Sequence, residues 1–210
     1  GILFHTDAVQ AVGHIPVNVE KDNIDMLSLS GHKFRGPKGV GLLYARKGMP
    51  LVNVIEGGAQ ERGKRAGTEN LPAIVGMVAA LQEATENMEQ EAPRISAMRD
   101  QLIEGLSQIP RSRLNGDRER RLPGTVNFVF EGVEDEMLLL QLDARGIAAS
   151  SGSACTAGSL EPSHVLLALG LPTEIARGSL RLSIGAENTP EEMEYIVKSV
   201  KEVVAQLRGE

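Results

Sequence analysis

The chain has 210 residues, 41% of them apolar, and a net charge of −6, which is enough for one large or two small packed domains. The acidic balance argues against a nucleic-acid partner, and no stretch reaches the ~20 apolar residues that a membrane helix needs. A single cysteine excludes an intrachain disulfide framework and favours a reducing compartment, which we expect to be the cytoplasm.

The first 45 residues predict an α/β arrangement. Residues 2–4 predict a buried strand, and Asp7 follows its C-terminal end, where open α/β sheets place ligand groups. Residues 25–30 and 40–45 predict two more strands, with Lys33 on the turn between them. Because domains seldom begin inside a core strand, we expect the chain to lack an N-terminal part.

The middle of the chain predicts a domain boundary. Residues 57–70 are rich in Gly, Arg and Lys and predict an exposed loop. Residues 71–109 have a helical pattern that Pro93 is expected to interrupt, and such a long run could bridge two domains. We therefore divide the chain into domains 1–90 and 91–210.

The second half predicts a smaller α/β unit. A small, polar loop at 150–158 contains Cys155, and Thr189 is a strong helix cap because proline and two glutamates follow it. The remaining predicted elements are strands at 125–130, 147–149 and 179–184, and helices at 134–144 (with Met137, Leu138 and Leu142 on one side), 161–169 (with Pro162 in its first turn) and 190–207.

Lys33 and Asp7 together suggest pyridoxal phosphate (PLP). Most lysines are surface residues, but Lys33 follows Ser30-Gly31-His32, where small residues allow close approach of a ligand. A Schiff-base lysine needs partial desolvation or a nearby positive charge. A carboxylate such as Asp7, otherwise an ordinary turn residue, could keep the pyridinium nitrogen protonated. Gln10, three residues later, could hydrogen-bond the ring hydroxyl oxygen.

Cys155 and Arg181 are the other candidates. A free cysteine is commonly a small buried residue, but the Ser, Gly, Thr and Ala around Cys155 indicate a wet loop that favours a nucleophile. Arg181 lies between two leucines on a predicted strand, so it either extends its charge to solvent or binds an anion such as a substrate carboxylate. The sequence leaves these two interpretations of Arg181 open.

Two other kinds of site are not supported by the sequence. His5, His14 and His164 have no metal-ligand spacing to one another or to Cys155, so we predict no metal site. The glycines at 36–41 lack the order of a Walker phosphate loop.

Five runs in register resemble the NifS/IscS-type cysteine desulfurases of the class V aminotransferase family. They are residues 5–10, 30–33, 36–39, 57–68 and 150–162, and the resemblance covers essentially the whole chain. It implies the fold type I architecture of PLP-dependent transferases, an α/β fold. Domain 1–90 would be the C-terminal part of the large PLP-binding domain, and domain 91–210 the small domain with the cysteine loop. Because the family is about twice this length, we expect the chain to be its C-terminal half.

The resemblance also implies roles for individual residues. Lys33 would bind PLP and move protons, and Cys155 would take the substrate sulfur as a persulfide. His32 and Ser30 would bind the phosphate. The remaining roles are those of Asp7 at the pyridinium nitrogen, Gln10 at the ring hydroxyl, Arg181 at the substrate carboxylate, and Thr68 at the phosphate of the other subunit of a homodimer.

The expected activity is therefore conversion of L-cysteine to L-alanine, with the sulfur passed to an iron–sulfur scaffold or another sulfur-acceptor protein. Two alternatives stay open. One is a selenocysteine lyase or another PLP lyase of the same fold. The other is an inactive fragment that binds scaffold proteins without cofactor.

Overall fold

In the computed structural model, residues 1–152 and 162–210 are described, and contacts divide the chain into two units, Gly1–Gln90 and Glu91–Glu210. Each unit combines helices with a three-stranded sheet, as the α/β prediction requires. The assignment of the units to a large cofactor domain and a smaller domain stays a prediction. Cys155 and Glu161 lie outside the described residues.

The first unit is built on a mixed sheet with strand order β1-β2-β3. Strand β1 (His5–Asp7) runs parallel to β2 (Met26–Ser30), and β2 runs antiparallel to β3 (Gly41–Ala45). A 3-10 helix, Gly31–Phe34, connects β2 to β3. One short turn, labelled α1 (Gln60–Gly63), interrupts the predicted exposed loop at 57–70, and its central residues Glu61 and Arg62 have left-handed dihedral angles. Ala8, Ile24 and Leu27 form the buried cluster behind the sheet.

The predicted buried strand at residues 2–4 is wrong. The first residue of this segment that pairs with β2 is His5, opposite Met26, so the strand begins at His5. Before it, the carbonyl of Phe4 accepts hydrogen bonds from two backbone N–H groups of the chain entering β2, but the side chains are exposed. Ile2 is 99% exposed. An apolar run is therefore not by itself evidence of burial in this unit.

Helix α2, Leu71–Ser107, contributes residues to both units and passes through Pro93 without a break. The predicted interruption at Pro93 is wrong. A proline inside a helix costs ~3 kcal/mol, because it removes one hydrogen bond and crowds the preceding turn. Burial of a large apolar side chain contributes ~1.5–3 kcal/mol each. Met98, Leu102 and Ile103, all nearly inaccessible, follow the proline and outweigh that cost.

The second unit has an antiparallel sheet with strand order β4-β5-β6, formed by Ser112–Leu114, Thr125–Phe130 and Ser179–Ser183. One sheet face packs against the C-terminal part of α2 and against two further helices, α3 (Asp135–Asp143) and α6 (Pro190–Arg208). In the described part of the chain between α3 and α6 there are two short helices, α4 (His164–Ala168) and α5 (Thr173–Ala176), which bury Leu166 and Ala176 beside Val129.

Three details of the second unit differ from the sequence predictions. Residues 147–149 form no strand, because only Ser150 bridges to β6, through Arg181. On α3, Leu138 and Leu142 are fully buried but Met137 is 45% exposed, so it does not share their face. Helix α4 begins at His164, which leaves Pro162 before the helix rather than in its first turn. No helix of the described residues is long and apolar enough to cross a membrane.

Thr189 caps the N-terminus of α6, as the sequence predicts, and the structure adds a reciprocal bond with Glu192. The Thr189 hydroxyl accepts from the backbone N–H of Glu192, and the Glu192 carboxylate accepts from the backbone N–H of Thr189 and from the Asn188 amide. The hydrogen bond from Asn188, followed by the one from Thr189, lowers the pKa of Glu192. The cap thus stabilises the helix most strongly when Glu192 is ionised.

Thr189→Ala should lower the free energy of unfolding by ~1 kcal/mol, because it removes the capping acceptor at α6. Urea unfolding followed by circular dichroism measures this. Thr85→Ala, an exposed threonine inside α2, is the matched control and should be neutral or slightly stabilising, since alanine favours the helix interior.

The pKa of the Glu192 carboxyl is lower in the folded state than in the unfolded chain. Its contribution to the free energy of unfolding should therefore be present above the pKa that Glu192 has in the unfolded chain, and should disappear as the pH falls through the folded-state pKa. Glu192→Gln should flatten that part of the pH profile. An unchanged acid profile in Glu192→Gln would contradict this account of the cap.

Candidate active site

Lys33 lies on the 3-10 helix that connects β2 to β3, where the sequence places it. Its side chain is half-buried, and its carbonyl oxygen accepts a hydrogen bond from His14 Nε2 at 3.0 Å. Arg35, two residues after Lys33, adopts a left-handed conformation with φ 69°. The Gly36 N–H donates to the Gly31 carbonyl at 2.9 Å and so closes the turn. The backbone that presents Lys33 is therefore held on both sides.

Two glycines of this turn are required by close packing. A Cβ atom on Gly31 would lie 3.1 Å from Met77 Cγ and 3.2 Å from Val40 Cγ1, and a Cβ atom on Gly36 would lie 2.9 Å from the Gly31 carbonyl oxygen. Real Cβ atoms essentially never approach a neighbour as closely as the Gly36 position would require. The small residues around Lys33 thus allow the turn itself to close.

Asp7 and the Lys33 turn lie at the same edge of the first sheet. Strands β1 and β2 are parallel, and Asp7 ends β1 opposite Ser28, two residues before β2 ends at Ser30. The carboxyl ends of parallel strands meet at one edge, which is where such sheets bind ligands. The Asp7 side chain is exposed, and one carboxylate oxygen accepts from the Val9 N–H at 3.1 Å.

Ser30 and His32 form a polar pair at this edge. The Ser30 hydroxyl and His32 Nδ1 are 2.8 Å apart, and the His32 side chain is exposed. A second pair, His5 Nε2 and the Ser28 hydroxyl, is also separated by 2.8 Å and connects β1 to β2. Hydroxyl and imidazole groups together can donate hydrogen bonds to an anion such as a phosphate.

Gln10 and Thr68 are also exposed side chains of the first unit. Gln10 follows β1 on a turn in which the N–H groups of Ala11 and Val12 donate to the Ala8 carbonyl. Thr68 lies in the loop before α2. Their roles at the ring hydroxyl and at a partner's phosphate stay predictions.

Arg181 lies in the second unit, on β6. Its backbone exchanges hydrogen bonds with Ser150, and its half-buried side chain projects from the face opposite to that of Leu180 and Leu182, which are in the core. The Arg181 Nε atom is buried and has no acceptor within residues 1–152 and 162–210. A buried Nε fits an arginine that binds an anion and also fits one whose terminal nitrogens extend to solvent, so both interpretations of Arg181 stay open.

The structure thus brings five predicted residues to one sheet edge or its adjoining turns: Asp7, Gln10, Ser30, His32 and Lys33. Arg181 is placed in the other unit, and Cys155 is outside the described residues. His14 is the contributor that sequence reasoning missed. Its bond to the Lys33 carbonyl spans 19 residues, and no local pattern signals such a contact.

The donor set at the sheet edge fits PLP. The cofactor needs an amine for its aldehyde carbon, a carboxylate for its ring nitrogen, and donors for its phosphate. A half-buried lysine, an exposed aspartate, and the serine–histidine pair supply these three kinds of group. Among the described residues no three His, Cys, Asp or Glu side chains are grouped so as to hold a metal ion.

Comparison with known proteins assigns the family. The model of the aminotransferase class-V family matches residues 1–196, so the chain belongs to this family of PLP-dependent enzymes. The match confirms both the family resemblance and the predicted fold class.

The chain is also similar to named members of that family. It is 56% identical to the cysteine desulfurase IscS of Methanosarcina thermophila over 208 residues, and 50% identical to the cysteine desulfurase NifS of Azotobacter vinelandii over 210 residues. These alignments cover 99% and 100% of this chain and 52% of each relative. The chain therefore spans about half the length of the curated relatives it matches.

Two solved structures are similar over the same part. One is described as a NifS-like protein, with a TM-score of 0.86, 38% identity, and coverage of 97% of this chain and 53% of the other. The second is described as SspA in complex with cysteine, with a TM-score of 0.65, 36% identity, and coverage of 90% and 52%. The fold described above is thus that of NifS-like proteins.

Proposed function

We propose that this chain carries the lysine and the nucleophilic cysteine of a PLP-dependent cysteine desulfurase. The observation that carries the proposal is the position of Asp7, Ser30, His32 and Lys33 at one edge of the first sheet, in the order that the family motifs predict. High identity to proteins named cysteine desulfurase supports L-cysteine as the substrate.

The residues that would hold the cofactor have distinct tasks. When bound, PLP withdraws electrons from the substrate Cα. Asp7 would keep the ring nitrogen protonated, and the Ser30 hydroxyl and the His32 ring would hold the phosphate. Lys33 would hold the aldehyde carbon and would move protons at the substrate Cα and at C4′. Gln10 would donate a hydrogen bond to the ring hydroxyl oxygen.

Arg181 and Cys155 act on the substrate. The Arg181 guanidinium binds the carboxylate in a two-bond clamp, which fixes the orientation of the amino acid. The Cys155 thiolate attacks the substrate sulfur, so that an S–S bond forms and the Cβ–S bond breaks. L-cysteine and one Cys155 thiol thus give L-alanine and one Cys155 persulfide, with atoms and electrons balanced.

The proposal extends to partners and location. Thr68 would reach the phosphate held by a second copy of the chain, so the enzyme would be a homodimer. The persulfide sulfur would pass to an iron–sulfur scaffold or another sulfur-acceptor protein. A single cysteine that must stay reduced is suited to the cytoplasm.

The full-length gene product, loaded with PLP, should convert L-cysteine to equimolar L-alanine and sulfide in the presence of a thiol reductant. Alanine and sulfide are quantified in parallel, because equal yields distinguish desulfuration from other PLP chemistry. Turnover of L-selenocysteine in preference to L-cysteine would instead support a lyase. A PLP-loaded protein that releases no alanine from either substrate would overturn the proposal.

A further inference from the structure

One face of the second sheet is apolar, and the opposite face is apolar at Val129 but polar at Asn127 and Arg181. Side chains alternate along a strand, and residues paired across an antiparallel ladder share a face. On β5 and β6 the pairs Val126–Leu182 and Phe128–Leu180 face the core. The pair Asn127–Arg181 lies between them and therefore projects from the opposite face.

Asn115 extends this polar pair into a row of three residues. It follows β4 directly, and its N–H donates to the Asn127 carbonyl at 2.9 Å, which continues the ladder by one position. Its side-chain Nδ2 donates to Asn127 Oδ1 at 2.6 Å, and Asn115 is only 7% exposed. The Asn115 Oδ1 atom is buried and accepts no hydrogen bond from the described residues. The row Asn115–Asn127–Arg181 thus runs across the sheet, from the residue that follows β4 to one residue on β5 and one on β6.

The hydrogen bond from Asn115 fixes what Asn127 can offer a ligand. One lone pair of the Asn127 oxygen is occupied by this bond, and the Nδ2 group of the same amide makes no hydrogen bond to the residues that the structure describes. Its N–H donors are therefore available to a ligand. Asn115 is itself held in place, because Arg121 donates to the Asn115 carbonyl at 2.9 Å and to the Asp117 carbonyl at 2.7 Å. The donors of Asn127 are therefore oriented before any ligand arrives.

Arg181 adds one unpaired buried donor on the same sheet face. Its Nε atom is buried without an acceptor within the described part of the chain. Directly paired residues on one sheet face have Cβ atoms ~4.5–5.5 Å apart, so one small anion can contact both side chains. A buried donor without a partner is unfavourable, and a ligand with free acceptors removes that cost. A carboxylate has two oxygens and suits this fork of donors.

We propose that Asn127 is a second ligand of the substrate carboxylate, beside Arg181, and that Asn115 is the positioning residue that orients the Asn127 amide. This inference rests on the proposed function. It assigns the carboxylate of the amino-acid substrate two hydrogen-bonding partners from adjacent strands. Selectivity for substrates that carry a carboxylate then depends on Asn115 and Asn127 as well as on Arg181.

Asn127→Ala should raise KM for L-cysteine about 10-fold with kcat within about 2-fold, because one hydrogen bond to a charged group is lost while the reacting atoms are untouched. Asn127→Asp, which keeps the side-chain shape, should raise KM further, since a second negative charge repels the carboxylate. Asn115→Ala should give a smaller rise, about 3-fold, because the Asn127 amide stays but is free to rotate.

A binding measurement separates this inference from the activity. Calorimetry should show weaker binding of L-alanine to Asn127→Ala, by about the same 10-fold, whereas cysteamine, which lacks the carboxylate, should bind both proteins equally. Asn87→Ala, an exposed asparagine on α2, is the matched control and should change neither affinity. Melting temperatures test whether each variant is folded.

The outcomes distinguish the two proposals. A wild-type protein that is inactive on L-cysteine would remove the proposed function. A wild type that is active, with an Asn127→Ala variant of unchanged KM and unchanged affinity for L-alanine, would overturn the role of Asn127 alone. An equal loss of affinity for L-alanine and cysteamine would also overturn it, because the effect would then be general rather than directed at the carboxylate.

Discussion

Lys33→Ala should abolish the visible absorbance of covalently held PLP and lower turnover of L-cysteine by roughly 10³-fold or more. The variant loses the amine that anchors the cofactor and the group that moves protons, and a positioned acid–base group alone contributes ~10²–10⁴-fold. The fold should survive, because the turn is held through the Lys33 carbonyl and the His14 ring rather than through the lysine side chain. Absorbance spectra and steady-state rates measure the two effects.

Lys38→Ala is the matched control, since Lys38 is an exposed lysine five residues further along the same connection. It should keep both the colour and the rate. A Lys33→Ala protein that retains covalently bound PLP, shown by intact mass after borohydride reduction, would contradict the assignment of Lys33.

Cys155→Ser should keep the PLP absorbance and lower transfer of sulfur from L-cysteine by roughly 10³-fold or more. A hydroxyl is a far weaker nucleophile than a thiolate, and no other cysteine is present in the sequence to replace it. Intact mass after a single exposure to L-cysteine should show the gain of one sulfur atom in the wild type and no gain in the variant.

Ser153→Ala, two positions earlier in the same run of small residues, is the control and should still gain sulfur. Full turnover of L-cysteine by Cys155→Ser would contradict the persulfide mechanism. Cys155→Ser and Lys33→Ala together separate cofactor binding from sulfur transfer, because Lys33→Ala should lose both the absorbance and the turnover, whereas Cys155→Ser should lose only the transfer of sulfur.

The elements around Lys33 were predictable because their signals are local. Apolar runs at 25–30 and 40–45 correspond to β2 and β3, and the polar turn between them holds the lysine. The cap at Thr189 was predictable for the same reason, since all of its partners lie within three residues. In each case the hydrogen bonds that form the element connect positions close in the chain.

The features that sequence reasoning missed depend on contacts between distant residues. Pro93 reads as a helix break, but the burial of later residues of α2 in the second unit maintains the helix. His14 reads as a spare histidine, but it supports the Lys33 carbonyl. Asn115 and Asn127 carry no motif, and their role follows from the register that places Asn127 opposite Arg181.

The amino-acid sequence determined the family, the cofactor chemistry and the candidate residues, because each chemical task requires a particular side chain and the motifs preserve their order. The tertiary structure decided which of these residues share an edge or a face. Asp7 and Lys33 lie at the same sheet edge because β1 and β2 are parallel. Asn127 and Arg181 lie opposite each other because the register of β5 and β6 pairs them. Register and strand direction arise from long-range backbone pairing, whose partners no local pattern specifies.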